Sequence, residues 1–308
     1  MSQYRQLLVL LTDIDPHSPA LRRALALAHA SGAAVHILGL FEPRAEHVLR
    51  EARLNEAEAQ RQFERYREQL EGLAARHRAS GTCLTLDTVN AEDLRDQAAD
   101  YMRELKPDMV IKDIEATPAL ARFFGTPVDC ALMRACEGMM HFVPPAAASL
   151  PKRILVAVDT ASGDDPCAQT LFNRGLIRAA QALALQCDAQ LHLLSAYDLV
   201  GVYAADMVVA QTWLEEMRDA LRVPFDALAD AQGVPDDCRH FKEGGAVQVI
   251  RDQVAALDID IVVMGVVQPK GLAKLLGDTT ERIVSDPPCS VLAVHPGVMD
   301  TWEPTPCN

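Results

Sequence analysis

The sequence has few aromatic residues and no long apolar segment. Aromatic side chains make up 5% of the 308 residues, and only two of them are tryptophan. Nowhere do 18 uncharged apolar residues follow one another, so no segment is predicted to insert in a membrane. The first apolar run, residues 7–11, is too short for the core of a signal peptide. We therefore expect a cytoplasmic protein.

Basic residues are the minority among the charges. Lys and Arg number 29 against 43 Asp and Glu, which leaves a formal net charge of −14. Binding to a polyphosphate chain requires a surface rich in Lys and Arg, because those side chains displace the condensed counterions. The charge balance therefore excludes nucleic acid and anionic membrane surfaces as expected partners.

Several chemical signatures are missing as well. The eight cysteines form no C-x-x-C pair and lie near no histidine at zinc-finger spacing, so we expect buried thiols rather than metal ligands or disulfides. The phosphate-loop, serine-hydrolase and zinc-protease motifs do not occur. The sequence thus predicts no metal site and no enzyme.

What the sequence does contain is an internal repeat. Residues 8–13 match 154–159, residues 34–38 match 190–194, and residues 107–144 match 259–296 without a gap. The proline-rich segment 144–151 separates the two halves. These matches predict two similar domains, residues 1–145 and 151–298, followed by a tail at 299–308.

Each half alternates between short apolar runs and helical patterns. Continuous apolar runs are typical of parallel strands that are buried on both faces, and helices between them complete an open, doubly wound α/β sheet. We therefore predict an α/β fold of two tandem five-stranded parallel sheets. In the first half the predicted strands are 7–11, 35–40, 84–89, 109–111 and 139–143, and the predicted helices are 19–31, 45–79 and 92–105.

Ligands of such sheets bind outside the carboxyl ends of the strands. In the second half, Asp159 follows the first strand and Gly265 ends the fourth. A glycine at a strand end lets a ligand approach the backbone, and Gly277, before the next helix, would free amides for a phosphate. This stretch is the best candidate for a ligand site.

At these residues the sequence resembles the universal stress protein family, in its tandem two-domain type. The resemblance rests on the aspartate after the first strand of each half, on Val-Val-Met-Gly at 262–265, on Leu-Gly-Asp-Thr-Thr-Glu at 276–281 and on the last strand, 288–294. It implies a Rossmann-like fold, two domains packed as a pseudo-dimer through their last strands, and a non-catalytic role in the stress response.

The resemblance also implies a ligand and the residues that hold it. ATP-binding members of the family place the first-strand aspartate against the adenine and the glycine-rich loop around the phosphates. Carried over by position, an ATP or other adenine-nucleotide pocket in the second domain is lined by Val158, Asp159, Gly265, Gly277, Thr279 and Thr280.

This chain departs from the family's G-x2-G-x9-G-[S/T] motif. The second glycine is replaced by Gln268, the loop is one residue short, and Asp278 stands where a serine or threonine is expected. A carboxylate there repels a phosphate, although Lys270 and Lys274 offset part of that repulsion. A pocket with a bound nucleotide and a pocket without one both stay open.

The first half departs further, because Asp113 stands where Gly265 stands in the second half. Asp113 and Asp13 could be catalytic carboxylates, but we favour acids that cap helices or face solvent. The matched histidines, His36 and His192, are expected to pack or to form internal hydrogen bonds.

Three alternatives to a nucleotide-binding protein remain. The chain could be a scaffold, with a protein partner or as a homodimer, whose pockets are closed by side chains, as Gln268 and Asp278 suggest. It could be a slow nucleotide hydrolase, although no nucleophile and base are identifiable. The first domain could bind an apolar small molecule near Phe123, Phe124 and Met133.

Overall fold

The structure is a computed structural model that describes residues 4–41, 56–90, 94–114, 128–160, 165–198, 210–266 and 279–296. The chain divides into two units, Met1–Leu150 and Pro151–Asn308. Each unit contains a parallel sheet of five strands, so the predicted α/β class with one such sheet per half is confirmed. The pseudo-dimer stays a prediction.

The first unit has the strand order β3-β2-β1-β4-β5, and all its paired strands run parallel. Its elements in chain order are β1 (Gln6–Leu11), α1 (Pro19–Ser31), β2 (Ala34–Phe41), α2 (Glu56–Ala79), β3 (Leu84–Asn90), α3 (Leu94–Leu105), β4 (Met109–Asp113), α4 (Val128–Ala135) and β5 (Met139–Val143).

The second unit repeats this order, as β8-β7-β6-β9-β10. Its elements are β6 (Arg153–Val158), α5 (Pro166–Cys187), β7 (Gln190–Tyr197), α6 (Ala210–Ala231), a 3-10 turn (Asp236–Cys238), β8 (Arg239–Glu243), α7 (Ala246–Leu257), β9 (Ile261–Gly265), α8 (Thr279–Ser285) and β10 (Ser290–Val294). None of the helices among the described residues has the length and apolar character needed to cross a bilayer.

Helix α1 shows why the local signals in the sequence were informative. It spans Pro19–Ser31, as predicted; the hydroxyl of Ser18 accepts from the N–H of Leu21, and Gly32 ends the helix at φ 77°. A left-handed φ is the conformation that glycine adopts without steric cost. The long helix predicted at 45–79 is α2 over its described part, and 45–55 lie outside the described residues.

The cysteines follow their prediction only in part. Among the described residues, Cys130, Cys136, Cys187 and Cys238 are buried thiols. Burial raises the pKa of the Cys136 thiol to about 11, which keeps it protonated at neutral pH. Cys83 and Cys167 are exposed, so the expectation of buried thiols is wrong for these two.

One carboxylate fixes the start of the first strand in each unit. Asp108 Oδ2 accepts from the N–H groups of Arg5 and Gln6 at 2.6 and 2.8 Å. Asp260 Oδ2 likewise accepts from Lys152 and Arg153 at 2.7 and 2.9 Å. The two aspartates occupy matched positions of the repeat, so the duplication extends to this contact.

The strand pairing corrects the repeat at two places. Leu7 pairs with Met109, and Ile154 pairs with Ile261, so Leu7 corresponds to Ile154, one residue away from the match made on sequence. Because side chains alternate between the faces of a strand, this shift matters: the residue that corresponds to Asp159 is Thr12 and not Asp13.

The second correction concerns the last strand. Val110 pairs with Met140, whereas Val262 pairs with Val291. The match from Pro107 onward therefore contains a gap, because the second unit has one residue fewer than the first between its fourth and fifth strands.

A buried ion pair joins β4 to α4 in the first unit. The ammonium of Lys112 lies 3.0 Å from Asp129 Oδ1 and 3.1 Å from the carbonyl of Asp113. The two side chains are 2% and 9% exposed. Removing one member of such a pair leaves the other charge buried without its counter-charge.

We expect Asp129→Ala to lower the free energy of unfolding by about 3–5 kcal/mol, because it leaves the Lys112 ammonium buried without the Asp129 carboxylate. Asp100→Ala is the matched control, since Asp100 forms an exposed ion pair with Arg103 at 2.6 Å. That exposed pair contributes about 1 kcal/mol or less. Urea unfolding of both variants measures the difference, and equal losses would contradict the role given to burial.

Candidate ligand site in the second unit

A cavity of about 720 Å³ lies at the carboxyl ends of β6, β7 and β9. The predicted site residues with described positions all line it: Val158, Asp159, Gly265, Thr279 and Thr280. Gly277, the sixth, lies outside the described residues, as do Gln268 and Asp278. The structure thus brings together the part of the predicted pocket that it describes.

The topology explains why these residues meet. β6 ends at Val158, and Asp159 is the first residue beyond it; β9 ends at Gly265, and α8 begins at Thr279. Parallel strands end at the same edge of the sheet, and the helices that follow them begin there. Residues far apart in the sequence therefore face one opening.

The walls of the cavity are largely apolar and include residues that the sequence did not single out. Apolar side chains come from four elements besides those predicted: Phe172 and Leu176 of α5, Leu194 of β7, Met217 and Leu221 of α6, and Ile250 of α7. Tyr197, at the end of β7, stacks on Phe241 with 4.5 Å between ring centroids. The end of β7 could have been found from the rule that ligands sit at strand ends; the helical residues carry no such signal.

The loop after β6 is held by side chains of α5. The carbonyl of Asp159 accepts from Asn173 Nδ2 at 2.7 Å and from Gln169 Nε2 at 3.3 Å. One residue later, the hydroxyl of Thr160 lies 3.0 Å from that of Ser195 on β7. These contacts fix the backbone at the rim of the cavity and leave the Asp159 residue exposed there.

Gly265 has a packing role besides the ligand contact that is predicted for it. A Cβ at this position would overlap Cε1 and Cζ of the Phe172 ring. The glycine is therefore required for the close packing of α5 on the end of β9, and the space above its Cα is filled by an aromatic ring. A ligand that approached the backbone here would have to displace Phe172.

Thr280 is also engaged within the protein. It is buried, and its hydroxyl donates to the carbonyl of Gly265 at 2.7 Å. This bond ties the start of α8 to the end of β9. The hydroxyl proton of Thr280 is thus already used in a hydrogen bond within the protein.

Each unit is a doubly wound sheet, and the second unit has a pocket over the switch point of its sheet. The sequence profile of the universal stress protein family matches residues 3–144 and again residues 151–295. The chain belongs to the universal stress protein family.

Individual relatives agree with this assignment. The universal stress protein E homolog of Haemophilus influenzae is 30% identical over 198 residues, and the match spans 63% of this chain and 63% of that protein's length. Universal stress protein E of Photorhabdus laumondii is 21% identical over 313 residues, 96% of each chain. A solved structure of a functionally unknown Pseudomonas aeruginosa protein has a TM-score of 0.73 and 22% identity, covers 97% of this chain and 95% of its own, and shows the fold.

In the first unit, a carboxylate stands at the strand end that corresponds to Gly265. Asp113, at the end of β4, accepts from the N–H of Ala20 and from the hydroxyl of Ser18, both at 2.6 Å. An internal anion therefore occupies the start of α1. This geometry confirms that Asp113 caps a helix, the interpretation favoured over a catalytic carboxylate.

The matched histidines have different partners in the two units. His36 Nδ1 lies 2.7 Å from Thr85 Oγ1, and its Nε2 lies 2.6 Å from the hydroxyl of Tyr101, which donates to Asp87. These contacts confirm the internal hydrogen bonding expected of His36.

In the second unit, His192 Nδ1 lies 3.1 Å from His240 Nε2. Strand pairing shows that His240 corresponds to Asp87. The second unit thus places a second imidazole where the first places a carboxylate. Among the described residues, no group of three or more His, Cys, Asp or Glu is arranged to hold a metal ion.

We predict that Gly265→Ala destabilises the protein through Phe172. Overpacking of this kind costs about 1–3 kcal/mol. In a Phe172→Ala background the new methyl group has room, and the cost should largely disappear. Urea unfolding of the two single variants and the double variant gives the coupling.

The control for this cycle is Gly72→Ala, on an exposed position of α2 with open space around it. It should be neutral or stabilising by up to about 1 kcal/mol, because alanine has the higher helix propensity. An equal cost of Gly265→Ala with and without Phe172 would refute the role given to the ring.

A pH dependence follows from the histidine pair. Burial lowers the pKa of His192, and Arg153 lowers it further; burial and then His192 lower the pKa of His240. Both folded-state values lie below 6.5, so the unfolded chain binds more protons below that pH. Stability is therefore full above about pH 7 and falls as the pH decreases through the range below about 6.5, by up to about 1.4 kcal/mol per pH unit for each proton taken up.

Urea unfolding at pH 7.5 and 5.5 tests this expectation. His240→Asp copies the carboxylate of the first unit, removes one titrating imidazole and raises the pKa of His192. The variant should lose less stability than the unmodified protein between the two pH values. An unchanged difference would show that the pair does not contribute.

Proposed function

We propose that the chain is a cytoplasmic, non-catalytic stress-response protein that holds a small molecule, such as an adenine nucleotide, in the cavity of its second unit. The observation that supports this most is the convergence of Val158, Asp159, Gly265, Thr279 and Thr280 on one cavity. Its volume of about 720 Å³ falls within the range of small-molecule sites.

The lining suits a flat apolar group with polar edges. Leu194, Ile250 and Met264 offer apolar surface, and Asp159 and Asp198 offer carboxylate oxygens beside it. An adenine presents a planar ring and an exocyclic amine, and a carboxylate accepts a hydrogen bond from such an amine. The match supports an adenine nucleotide as the first ligand to test.

The engagement of the polar side chains supports binding rather than catalysis. Asn173 and Gln169 donate to the backbone of Asp159, and Thr280 donates to that of Gly265. Groups held in this way shape a pocket; a general base or nucleophile needs a reacting partner within hydrogen-bond reach.

Titration calorimetry with ATP tests the proposal. We expect binding to the unmodified protein and at least about tenfold weaker binding to Asp159→Ala, since a hydrogen bond to a charged group contributes about 1.5–3 kcal/mol. Asp13→Ala, in the loop after β1, is the control and should bind as the unmodified protein does. Absence of heat at millimolar ATP, with the protein folded, would refute nucleotide binding. Equal effects of the two variants on ATP binding would refute the assignment of the site to this cavity.

A scaffold without a nucleotide is the second candidate, and the Phe172 ring above Gly265 favours it. In that case Phe172→Ala should not create ATP binding, and protein partners should be captured equally with and without ATP. Release of phosphate from ATP by the unmodified protein, lost in Asp159→Ala, would instead indicate a hydrolase.

A further inference from the structure

A second cavity, of about 350 Å³, lies between α5 and α6 beside the first. The two cavities share Asp159, Gln169 and Asn173 as lining residues. Arg174 lines only the smaller one, across from Pro224 and Leu228 of α6.

Arg174 shares one feature with Arg23 among the arginines that the structure describes. Its Nε is shielded from solvent and has no hydrogen-bond partner among the described residues. The Nε of the buried Arg23 lacks a hydrogen-bond partner too, but the terminal nitrogens of Arg23 contact His141 at 2.8 Å and donate to the carbonyl of Ala148 at 2.7 Å. Arg174 is half-buried, and shielding one of its N–H donors from water without a partner costs free energy.

The neutral polar groups around Arg174 are already engaged. Thr170 donates its hydroxyl proton to the carbonyl of Pro166 at 2.8 Å, and Asn173 donates to the carbonyl of Asp159 at 2.7 Å. Arg174 therefore supplies the donors still open toward this cavity. The described contacts include no ion pair between Arg174 and the carboxylate of Asp159.

We propose that Arg174 anchors a binding site for a small oxyanion in the cavity between α5 and α6. A guanidinium presents a planar set of N–H donors that binds a carboxylate or phosphate through two parallel hydrogen bonds. Because Asp159 repels an anion, the oxyanion lies on the Arg174 side, and a ligand that also offers an N–H or O–H to Asp159 is favoured. The site does not depend on nucleotide binding in the larger cavity.

Inorganic phosphate is the probe, added at constant ionic strength to the full chain in a chloride buffer. Isothermal calorimetry and the thermal midpoint should both show binding, since a ligand specific for the folded state raises the midpoint. Arg174→Gln should weaken binding by at least about tenfold, the effect of losing hydrogen bonds to a charged group. Arg178→Gln, one turn further along α5 at an exposed position, is the matched control and should bind normally.

Stability without phosphate provides a second readout. Arg174→Met keeps the unbranched apolar stem of the side chain and removes the charge, so the thermal midpoint should equal or exceed that of the unmodified protein. A clear loss of stability would show that Arg174 has a structural partner and would overturn the proposal. If Arg174→Gln does not fold, Arg174→Lys, which keeps the charge but not the paired donors, should still bind phosphate more weakly.

Two arms distinguish the source of the oxyanion. A phosphate effect that depends on Arg174 in a protein that does not bind ATP supports a free oxyanion and leaves the nucleotide proposal refuted. Competition between phosphate and ATP, with ATP also weakened by Arg174→Gln, assigns the oxyanion to the nucleotide's phosphates. Equal phosphate binding by the unmodified protein and Arg174→Gln, or no binding at all, overturns the site.

Discussion

The contact on which both sheets depend is a single carboxylate at the amino ends of the strands. Asp108 and Asp260 each hold two N–H groups at the start of their unit's first strand, and the backbone N–H of each donates to that same strand. This sets the alignment of the first strand against the fourth. Because the strands are parallel, their alignment at the amino ends decides which residues lie side by side at the carboxyl ends. At the carboxyl ends of the second unit, Asp159 and Gly265 line one cavity.

The two units have diverged most at the end of the fourth strand. In the first unit, Asp113 reaches the start of α1 and satisfies groups of the helix with an internal anion. In the second, Gly265 makes room for Phe172, and a cavity remains between the helices and the sheet. The same topology therefore places a helix-capping carboxylate at this strand end in one unit and a cavity in the other.

The sequence was sufficient for the features that local chemistry determines. Buried parallel strands need continuous apolar runs, and a helix such as α1 needs a cap and a stop, so the fold class and the bounds of α1 followed directly. The alignment of the two halves did not, because apolar residues are interchangeable within a strand. Only the hydrogen-bonded pairs show that Asp159 corresponds to Thr12, and that the last strand has shifted by one residue.

The candidate site shows the same limit. Strand-end residues could be named in advance, because topology alone brings them together. The contribution of Phe172, Asn173 and Arg174 could not, because it depends on which face of α5 turns toward the sheet and which toward α6. The role of Gly265 was missed for the same reason: a glycine that admits a ligand and a glycine that admits a side chain look alike in the sequence.

The linker after β5 has a practical consequence for dividing the chain. The guanidinium groups of Arg22 and Arg23 bind the carbonyls of Ala147 and Ala148, and Arg23 is 1% exposed. A gene fragment that stopped at residue 145 would delete both acceptors and leave a buried cation short of a partner. The first half should instead be expressed through Leu150, so that the fragment keeps the two carbonyl groups that Arg22 and Arg23 bind.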